Sequence, residues 1–425
     1  MKKMFLWSIV VIITISLTAT LSLAGCAAAE EPAAPAVDEP APDPEPVVDE
    51  PAVDEPEEVA EEPAPEPDDE YPPLTGPAIT EPEDAVTDDV IGAGDYTGDK
   101  SYEYFREQAV RGEFDENYAQ DFKLAVTNFD AAIPNANEIV ESVVEFWKLA
   151  GGRDDTILVL DNANDTSTML ANADQIFAWD ADVYVQYASS VDTNATIARN
   201  AMEEDMFMLA LATVVPGFPF FGVDNWGNGL SSGIIATTLI NEQLGGIENV
   251  DRIYYALNPA LGEHVSYRSW GARAHMIEEL GPDADWLVEG SKAELVEFGA
   301  DMQGVWMDVL NKYPADENIV VLTPYEPPAM GFYAAASALG RWDPDKCILI
   351  SLGGSTGLGR PAIRSGILDA VVGWQMELYG GYVVPLALAN MYGNPIPANT
   401  YLEDIFLTID TIDDYYPGET TLFEE

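Results

Sequence analysis

Cysteine and histidine are almost absent from this chain of 425 residues. Two of each occur, Cys26 and Cys347, His264 and His275, which is too few for a disulfide framework or a Cys/His metal cluster. Cys347 lies in an apolar run and is predicted to be a buried free thiol. The histidines are eleven positions apart, about 16 Å along a helix axis, and cannot bind one metal ion. We therefore expect neither a disulfide nor a metal site.

Basic residues are also scarce. The chain has 18 lysines and arginines against 75 acidic residues, a formal net charge of −57, and no basic residue lies between Lys3 and Lys100. Such a charge repels phosphate backbones and anionic lipid headgroups. We therefore expect no nucleic-acid partner, and any link to a membrane must depend on something other than electrostatic docking.

The sequence lacks the motif combinations of common enzymes as well. No Gly-x-Gly-x-x-Gly motif follows the first predicted strand, and we expect no cofactor. Residues 353–357 match the Gly-x-Ser-x-Gly motif of hydrolases, but that fold needs a histidine after the serine, and both histidines precede it. A hydrolase with another chain order remains an alternative. We predict that the protein is not an enzyme and that these glycines form a loop around a cleft.

One long apolar run stands at the start of the chain. Lys2 and Lys3 precede residues 4–23, which are apolar apart from serine and threonine, and Ala24-Gly25-Cys26 follows. This ending resembles the bacterial lipobox, in which the cysteine thiol takes the lipid. The alternative is an uncleaved transmembrane helix, since about 20 apolar residues span a bilayer, but such a helix does not need this ending before a polar tract. We predict a lipoprotein signal peptide over residues 1–26, anchored through Cys26 on the extracytoplasmic face of the cell membrane, at the cell surface or in the periplasm.

The next segment is made almost wholly of Ala, Pro, Glu, Asp and Val. Residues 27–70 include repeats such as Val-Asp-Glu-Pro at 48–51 and 53–56. Like charges and prolines at this density cannot build a core, so the segment is predicted to be a disordered linker that continues to about residue 100. In an extended polyproline conformation, residues 27–70 would reach roughly 140 Å.

From about residue 101 the hydrophobic pattern alternates between strands and helices, which predicts parallel sheets covered on both faces. About twelve such units exceed one core and indicate two α/β lobes. The predicted strands are 122–127, 156–160, 183–187, 208–215, 252–257, 286–288, 319–323, 347–352 and 370–372. The predicted helices are 135–150, 167–177, 193–203, 229–244, 264–280, 292–312, 331–340 and 361–365.

Four motifs occur in a characteristic order along this part of the chain. They are Phe-Gly-Val-Asp-Asn-Trp-Gly-Asn-Gly at 221–229, Arg-Ser-Trp-Gly at 268–271, Ala-Met-Gly-Phe-Tyr-Ala at 329–334 and Ile-Arg-Ser-Gly-Ile-Leu-Asp-Ala at 363–370. With these motifs in this order, the chain from about Phe122 to Ile412 resembles the type I periplasmic binding proteins, which are the sugar-binding receptors of ABC importers.

The resemblance implies two doubly wound parallel-sheet lobes, joined by a three-strand hinge, that close over a ligand. The hinge crossings would fall near 224–225, 374–376 and 398–401. The implied lobes are residues 101–224 plus 376–399 and residues 225–375 plus 400–425.

The resemblance also implies ligand-binding residues, in a cleft where aromatic rings stack on the sugar and polar groups bind its hydroxyls. Where the family has acidic or amide side chains, this chain has Ala212 or Thr213, Tyr325, Gly353 or Gly354, and Trp374 beside Gln375, so the cleft is expected to be more aromatic and less acidic. The ligand-binding residues so implied are Asn128, Phe129, Asp224, Asn225, Arg268, Phe298, Tyr325, Trp374 and Gln375.

Five of these nine assignments have an alternative that involves no ligand. Phe298 and Trp374 would also suit the core or the packing between lobes, and Arg268 would also suit an ion pair with a surface carboxylate. Asp224 with Asn225 would also suit a cap on the next helix.

The function implied is that of a monomeric solute-binding lipoprotein that passes a small polar ligand, a sugar in the first instance, to an ABC permease. The alternative is a sensor lipoprotein that reports ligand occupancy to a membrane kinase or chemoreceptor without transport. Both functions need the same closing cleft, and the residues do not separate them.

The lipid assignment depends on a single side chain. We expect Cys26→Ala to abolish incorporation of radioactive palmitate and cleavage after residue 25, because no other thiol lies near the apolar run. Labelling that persists in the variant would contradict the assignment, and a Cys347→Ala variant, which should label normally, is the control.

Overall fold

A computed structural model of the protein describes residues 90–91, 100–285, 292–419 and 421–422. The predicted signal peptide over 1–26, the predicted strand at 286–288 and all of the predicted linker except Val90, Ile91 and Lys100 lie outside the described residues. In the part that is described, no helix has both the length and the apolar character needed to cross a membrane.

The first sheet has six strands that are all parallel, in the order β13-β6-β5-β4-β2-β3. Its central strands are apolar and buried on both faces, as expected of a parallel sheet covered by helices. The strands are β2 (Leu124–Asn128), β3 (Ile157–Asp161), β4 (Val183–Tyr187), β5 (Phe207–Leu211), β6 (Phe220–Gly222) and β13 (Asn399–Tyr401).

The second sheet also has six strands, in the order β14-β11-β10-β9-β7-β8, and all but one pair are parallel. The exception is the edge strand β14, which is antiparallel to β11. The strands are β7 (Arg252–Leu257), β8 (Ala293–Glu297), β9 (Ile319–Leu322), β10 (Cys347–Gly353), β11 (Ala370–Gly373) and β14 (Ile405–Thr408). A separate two-stranded antiparallel ladder joins β1 (Val90–Ile91) to β12 (Ile396–Pro397).

Helices connect the strands in both lobes. Those of the first lobe are α1 (Tyr102–Arg111), α2 (Pro134–Leu149), α3 (Thr166–Trp179), α4 (Val191–Glu203) and α10 (Gly380–Met391). Those of the second lobe are α5 (Asn225–Leu239), α6 (Glu263–Leu280), α7 (Met302–Lys312), α8 (Glu326–Ala338), α9 (Gly359–Arg364) and α11 (Ile412–Tyr415).

The chain passes between the lobes three times. The crossings lie between β6 and α5, between β11 and α10, and between β13 and β14. One apolar cluster includes Val126 and Phe221 of the first lobe together with Val372 and Trp374 of the second. The lobes therefore share part of a core where the crossings run side by side.

Two predicted boundaries need correction. Thr400 and Tyr401, assigned to the second lobe from the sequence, extend β13 in the first sheet, where Tyr401 pairs with Gly222. The segment predicted as one helix over 292–312 is instead strand β8 followed by α7. Its Ala-Glu-Leu-Val-Glu stretch satisfies both the helical and the strand periodicity, and pairing along β7 decides in favour of a strand.

Other predicted elements are close to those observed. The strands 183–187 and 252–257 match β4 and β7 at both ends. The strand predicted over 208–215 ends at Leu211, and the helix predicted from residue 229 already begins at Asn225. Cys347 is buried and unpaired in β10, as predicted, and burial raises the pKa of its thiol.

Candidate functional site

The residues that follow the strands of both sheets converge between the lobes. Asn128 and Tyr187 are the last residues of β2 and β4, while Asn258 and Tyr325 follow β7 and β9. Ligands of open parallel sheets bind outside the carboxyl ends of the strands, where helix and loop residues leave a crevice. The cleft between the lobes is therefore the candidate site.

The lobes touch directly at one rim of this cleft. The Asn135 side-chain amide donates to Glu326 Oε2 at 3.0 Å, and Thr356 donates to Glu138 Oε1 through its hydroxyl at 2.5 Å. Asn135 and Glu138 belong to α2 of the first lobe, whereas Glu326 and Thr356 belong to the second. Burial raises the pKa of Glu138. These bonds can exist only when the lobes are close together, so the structure shows the lobes in contact.

Arg268 lies in the first turns of α6 and is held by two acceptors. Its Nε donates to Asn225 Oδ1 and its Nη1 to the Pro324 carbonyl, both at 2.8 Å. The guanidinium carbon lies 4.5 Å from the centroid of the Trp374 ring, within range of a cation–π interaction. The three contacts come from the first crossing, the loop after β9 and the second crossing, so Arg268 is fixed where these segments meet.

Close packing of two helices sets the position of Arg268. A Cβ on Gly229 of α5 would lie 2.4 Å from the Arg268 carbonyl oxygen, and a Cβ on Gly271 of α6 would lie 2.4 Å from the Trp226 carbonyl oxygen. Any side chain at either glycine would force the helices apart. Gly229 ends the motif at 221–229, and Gly271 ends the Arg-Ser-Trp-Gly motif. The close packing of α5 and α6 therefore requires glycine at both positions.

The surroundings of Arg268 are aromatic, and the residue is only partly exposed to solvent. Burial lowers the pKa of Arg268 to about 10, an effect that Tyr379, Tyr187 and Tyr325 partly oppose. Burial also raises the pKa of Tyr187 to about 12, and burial together with Arg268 lowers the pKa of His264 to about 4. At neutral pH the arginine is therefore charged, whereas Tyr187 and His264 are neutral.

Two buried amide oxygens in this region have no hydrogen-bond partner. Asn128 is 6% exposed and donates to Asn137 Oδ1 at 2.7 Å, while its own Oδ1 accepts nothing. Asn258 is also 6% exposed and donates to the Tyr325 hydroxyl at 2.6 Å, and its Oδ1 is likewise unsatisfied. Buried acceptors without partners are uncommon and need an explanation. Here one unsatisfied oxygen belongs to the first lobe and the other to the second.

Glu326 is a fully buried carboxylate at the start of α8. Its Oε1 accepts from the backbone amides of Gly354 and Ser355 at 2.7 and 2.8 Å, and its Oε2 accepts from Asn135. The Ser355 hydroxyl accepts from the Gly359 amide at 3.2 Å. The Gly-x-Ser-x-Gly segment is therefore a loop folded around a carboxylate.

Trp374 and Asp404 join the crossings to α5. The Trp374 indole donates to Asn228 Oδ1 at 2.6 Å, and the Asn228 amide donates to Asp404 Oδ1 at 2.5 Å. Ser231 donates to Asp404 Oδ2 at 3.1 Å. Gln375, next to Trp374, has a φ of 42°, a left-handed conformation that costs a non-glycine residue energy. The second crossing therefore turns sharply at Gln375.

The structure brings six of the nine predicted site residues to the cleft. Asn225, Arg268 and Trp374 contact one another in a row. Phe129, half-buried, lies 5.7 Å from the Tyr187 ring, centroid to centroid. The six residues are Asn128, Phe129, Asn225, Arg268, Tyr325 and Trp374.

The other three have structural positions. Asp224 caps α5, accepting from the Gly227 amide at 2.9 Å, and Gln375 forms the turn of the second crossing. Phe298 is 4% exposed and packs on Trp306 with ring centroids 4.9 Å apart.

Sequence reasoning missed several residues of the cleft, among them Tyr187, Asn258, Glu326 and Tyr379. Tyr187 and Asn258 stand at the ends of strands that were predicted with correct bounds, so their positions alone could have indicated them. Glu326 and Tyr379 could not be found in this way, because their surroundings come from distant segments. No cluster of three or more metal-binding side chains occurs within 100–285, 292–419 and 421–422.

Two largely parallel six-stranded sheets, three crossings and a polar cleft between them define the type I periplasmic binding-protein fold. Among solved structures with this fold is an ABC transporter periplasmic solute-binding protein from Actinobacillus succinogenes 130z with bound D-allose, at 12% identity and a TM-score of 0.58, covering 69% of this chain and 100% of that one. Another is the Caulobacter myo-inositol binding protein bound to myo-inositol, which matches at 16% identity and a TM-score of 0.59. The match covers 72% of this chain and 99% of that one.

A periplasmic ribose ABC transporter structure from Conexibacter woesei DSM 14684 matches at 18% identity and a TM-score of 0.56, covering 70% of this chain and 95% of that one. No protein-family model matches the chain, and a comparison with curated proteins finds no match. At these identities the likeness establishes the fold, as predicted from the motifs, and leaves the ligand to be argued from the cleft.

Asp404 should make stability depend on pH. Burial raises its pKa to about 6 in the folded protein, above the value in an unfolded chain. Folding therefore favours the protonated form, and this contribution is fully present below about pH 4 and is lost as pH rises through about 6. In Asp404→Asn the amide oxygen can still accept from Asn228, and the amide nitrogen can donate to the Ser231 hydroxyl. We expect this variant to be more stable than the parent by about 1–2 kcal/mol at pH 8 and equal to it at pH 4.

Urea denaturation at the two pH values measures this difference. Asp414→Asn is the matched control, because it removes the same charge from an exposed position and should show no such dependence. Equal stability of the Asp404→Asn variant and the parent at both pH values would contradict the assignment.

Proposed function

We propose that this protein is an extracytoplasmic solute-binding lipoprotein of an ABC importer, which binds a sugar or related polyhydroxylated ligand between its lobes and delivers it to a membrane permease. It acts as a monomer and performs no chemistry on the ligand. The fold supports the proposal, and two of the similar structures hold bound D-allose and bound myo-inositol.

The observation that carries the proposal is the pair of unsatisfied amide oxygens of Asn128 and Asn258. A buried acceptor without a partner costs about 1–3 kcal/mol, and a ligand hydroxyl from the cleft would satisfy it. One acceptor belongs to each lobe, so a ligand with several hydroxyls could bind both at once and hold the lobes together.

The aromatic side chains of the cleft suit the same ligand. Phe129 and Tyr187 come from the first lobe, Tyr325 from the second and Trp374 from the second crossing. Aromatic faces pack on the apolar C–H faces of a sugar ring while amide and guanidinium groups bind its oxygens. This combination favours a polyhydroxylated ring over an amino acid, whose ammonium group would need a carboxylate partner, because the Glu326 carboxylate already accepts from Gly354, Ser355 and Asn135.

The test is a thermal-shift screen of the purified protein against sugars, sugar acids, polyols, nucleosides and amino acids. A ligand at a hundred times its dissociation constant should add about 2.7 kcal/mol to the free energy of unfolding. Stabilisation by a polyhydroxylated compound is the expected result. Stabilisation by amino acids or nucleosides alone, or by nothing in the screen, would contradict the proposal.

The amide of Asn258 should matter for affinity. We expect Asn258→Ala to weaken binding of the ligand found in the screen about 5- to 30-fold by calorimetry, because the ligand hydroxyl loses its acceptor. Asn311→Ala, on the exposed face of α7, is the matched control and should bind like the parent. Unchanged affinity of the Asn258→Ala variant would show that the free oxygen serves no ligand.

The importer assignment has its own test. Deleting the gene should abolish uptake of the radiolabelled ligand, and expressing the Cys26→Ala variant in the deletion strain should restore little of it, because an unanchored receptor diffuses away from the permease. Normal uptake in the deletion strain, together with a lost transcriptional or chemotactic response to the ligand, would favour the sensor.

A further inference from the structure

Arg268 differs from Arg273 and Arg360, which are buried and paired with carboxylates. The Arg273 guanidinium lies 3.0 Å from an Asp285 carboxylate oxygen, and that of Arg360 lies 2.7 Å from a Glu377 oxygen. Arg268 forms no ion pair with any residue in 100–285, 292–419 or 421–422, although the cleft shields it enough to lower its pKa. A shielded charge without a counter-charge is costly, so the missing partner needs an explanation.

The two acceptors that Arg268 does have are both neutral. They are the Asn225 side-chain oxygen and the Pro324 carbonyl, and they occupy Nε and Nη1. Nη2 donates to nothing among the described residues. A guanidinium has five N–H donors in a planar fork, so a part of the fork that suits a second acceptor remains free.

The carboxylate that acts on Arg268 electrostatically is that of Glu326, and it is already in use. Its oxygens accept from the Gly354 and Ser355 amides and from Asn135. These bonds hold Glu326 away from an ion pair with the arginine. The cleft therefore provides a positive charge without a paired negative one.

The free donors and the free acceptors together describe one kind of ligand. Asn128 and Asn258 need hydroxyl donors, while Arg268 needs an anionic acceptor. We infer that the ligand is a sugar acid, a polyhydroxylated carboxylate whose carboxylate group binds Arg268 and whose hydroxyls bind the two asparagines. This inference rests on the proposed function and narrows its ligand class.

A carboxylate suits this guanidinium better than a hydroxyl does. Hydrogen bonds between ionised partners are about twice as strong as neutral ones, and the planar fork matches a carboxylate. Arg268 is only partly exposed to solvent, which strengthens the interaction further. Neutral sugars would bind the asparagines and the aromatic faces equally well but would leave the arginine charge uncompensated.

The net charge of the chain opposes the approach of an anionic ligand. A protein with a formal charge of −57 repels an anionic ligand at long range and slows its approach at low ionic strength. The ligand charge is therefore compensated only inside the cleft. We expect the association rate of the acid to rise with added salt, whereas that of a neutral sugar should stay constant.

The test compares matched acid and neutral ligands on the full-length chain purified in detergent, by calorimetry at pH 7.5. The pairs are D-galacturonate with D-galactose, D-glucuronate with D-glucose and D-gluconate with D-sorbitol. We expect the acid of at least one pair to bind about tenfold or more tightly than its neutral partner. In Arg268→Gln the acid should lose about 30- to 100-fold in affinity and the neutral partner only a few-fold, so the preference disappears.

Two further variants complete the design. Arg268→Lys keeps the charge but not the fork and should retain part of the preference. Arg199→Gln is the matched control, because it removes the same charge from an exposed position on α4 and should leave both affinities unchanged.

The outcomes separate the inference from the proposed function. If a neutral sugar binds the parent protein as tightly as its acid, the inference is wrong and the proposed function stands. If neither this panel nor the wider thermal-shift screen yields a polyhydroxylated ligand, both are wrong. If Arg268→Gln folds and keeps the preference for the acid, Arg268 does not bind the carboxylate. The comparison on the parent protein decides the ligand class even if a variant fails to fold.

Discussion

The close approach of α5 and α6 is the constraint on which the cleft depends. Gly229 and Gly271 let each helix reach the backbone of the other, and this contact brings the start of α5, at the first crossing, next to Arg268. Asn225 and Trp374 then contact the same guanidinium from two crossings. The first crossing and the surroundings of Arg268 are therefore built on the same helix pair.

The crossings are also joined to one another. Trp374 in the second crossing and Asp404 in the third are linked through Asn228 of α5. These bonds tie the second and third crossings to α5, and next to Trp374 the second crossing turns at Gln375, whose backbone is left-handed. The bond from Asn135 to Glu326 exists only with the lobes in contact. A ligand that binds both lobes would favour that state by its difference in affinity between open and closed forms.

Much of the fold could be predicted from the sequence, because strands buried on both faces leave apolar runs that few other structures produce. β4 and β7 were predicted with correct bounds for this reason. The stretch 293–297 was not predicted as a strand, because its pattern fits a helix and a strand equally. Only its pairing with β7 makes it a strand. Of the predicted site residues, Arg268 lies where the crossings meet and Phe298 packs on Trp306. Glu326 depends on partners 28 and 191 positions away, which no local pattern reveals.

The choice of tyrosines around Arg268 explains how the cleft can be polar and still leave a charge unpaired. Burial raises the pKa of Tyr187 to about 12 and raises those of Tyr325 and Tyr379 as well. These hydroxyls therefore stay neutral at physiological pH and can form hydrogen bonds without cancelling the positive charge. Carboxylates in the same places would neutralise it. In a chain with 75 acidic and 18 basic residues, the phenols and amides around Arg268 leave its guanidinium without an ion pair among the described residues.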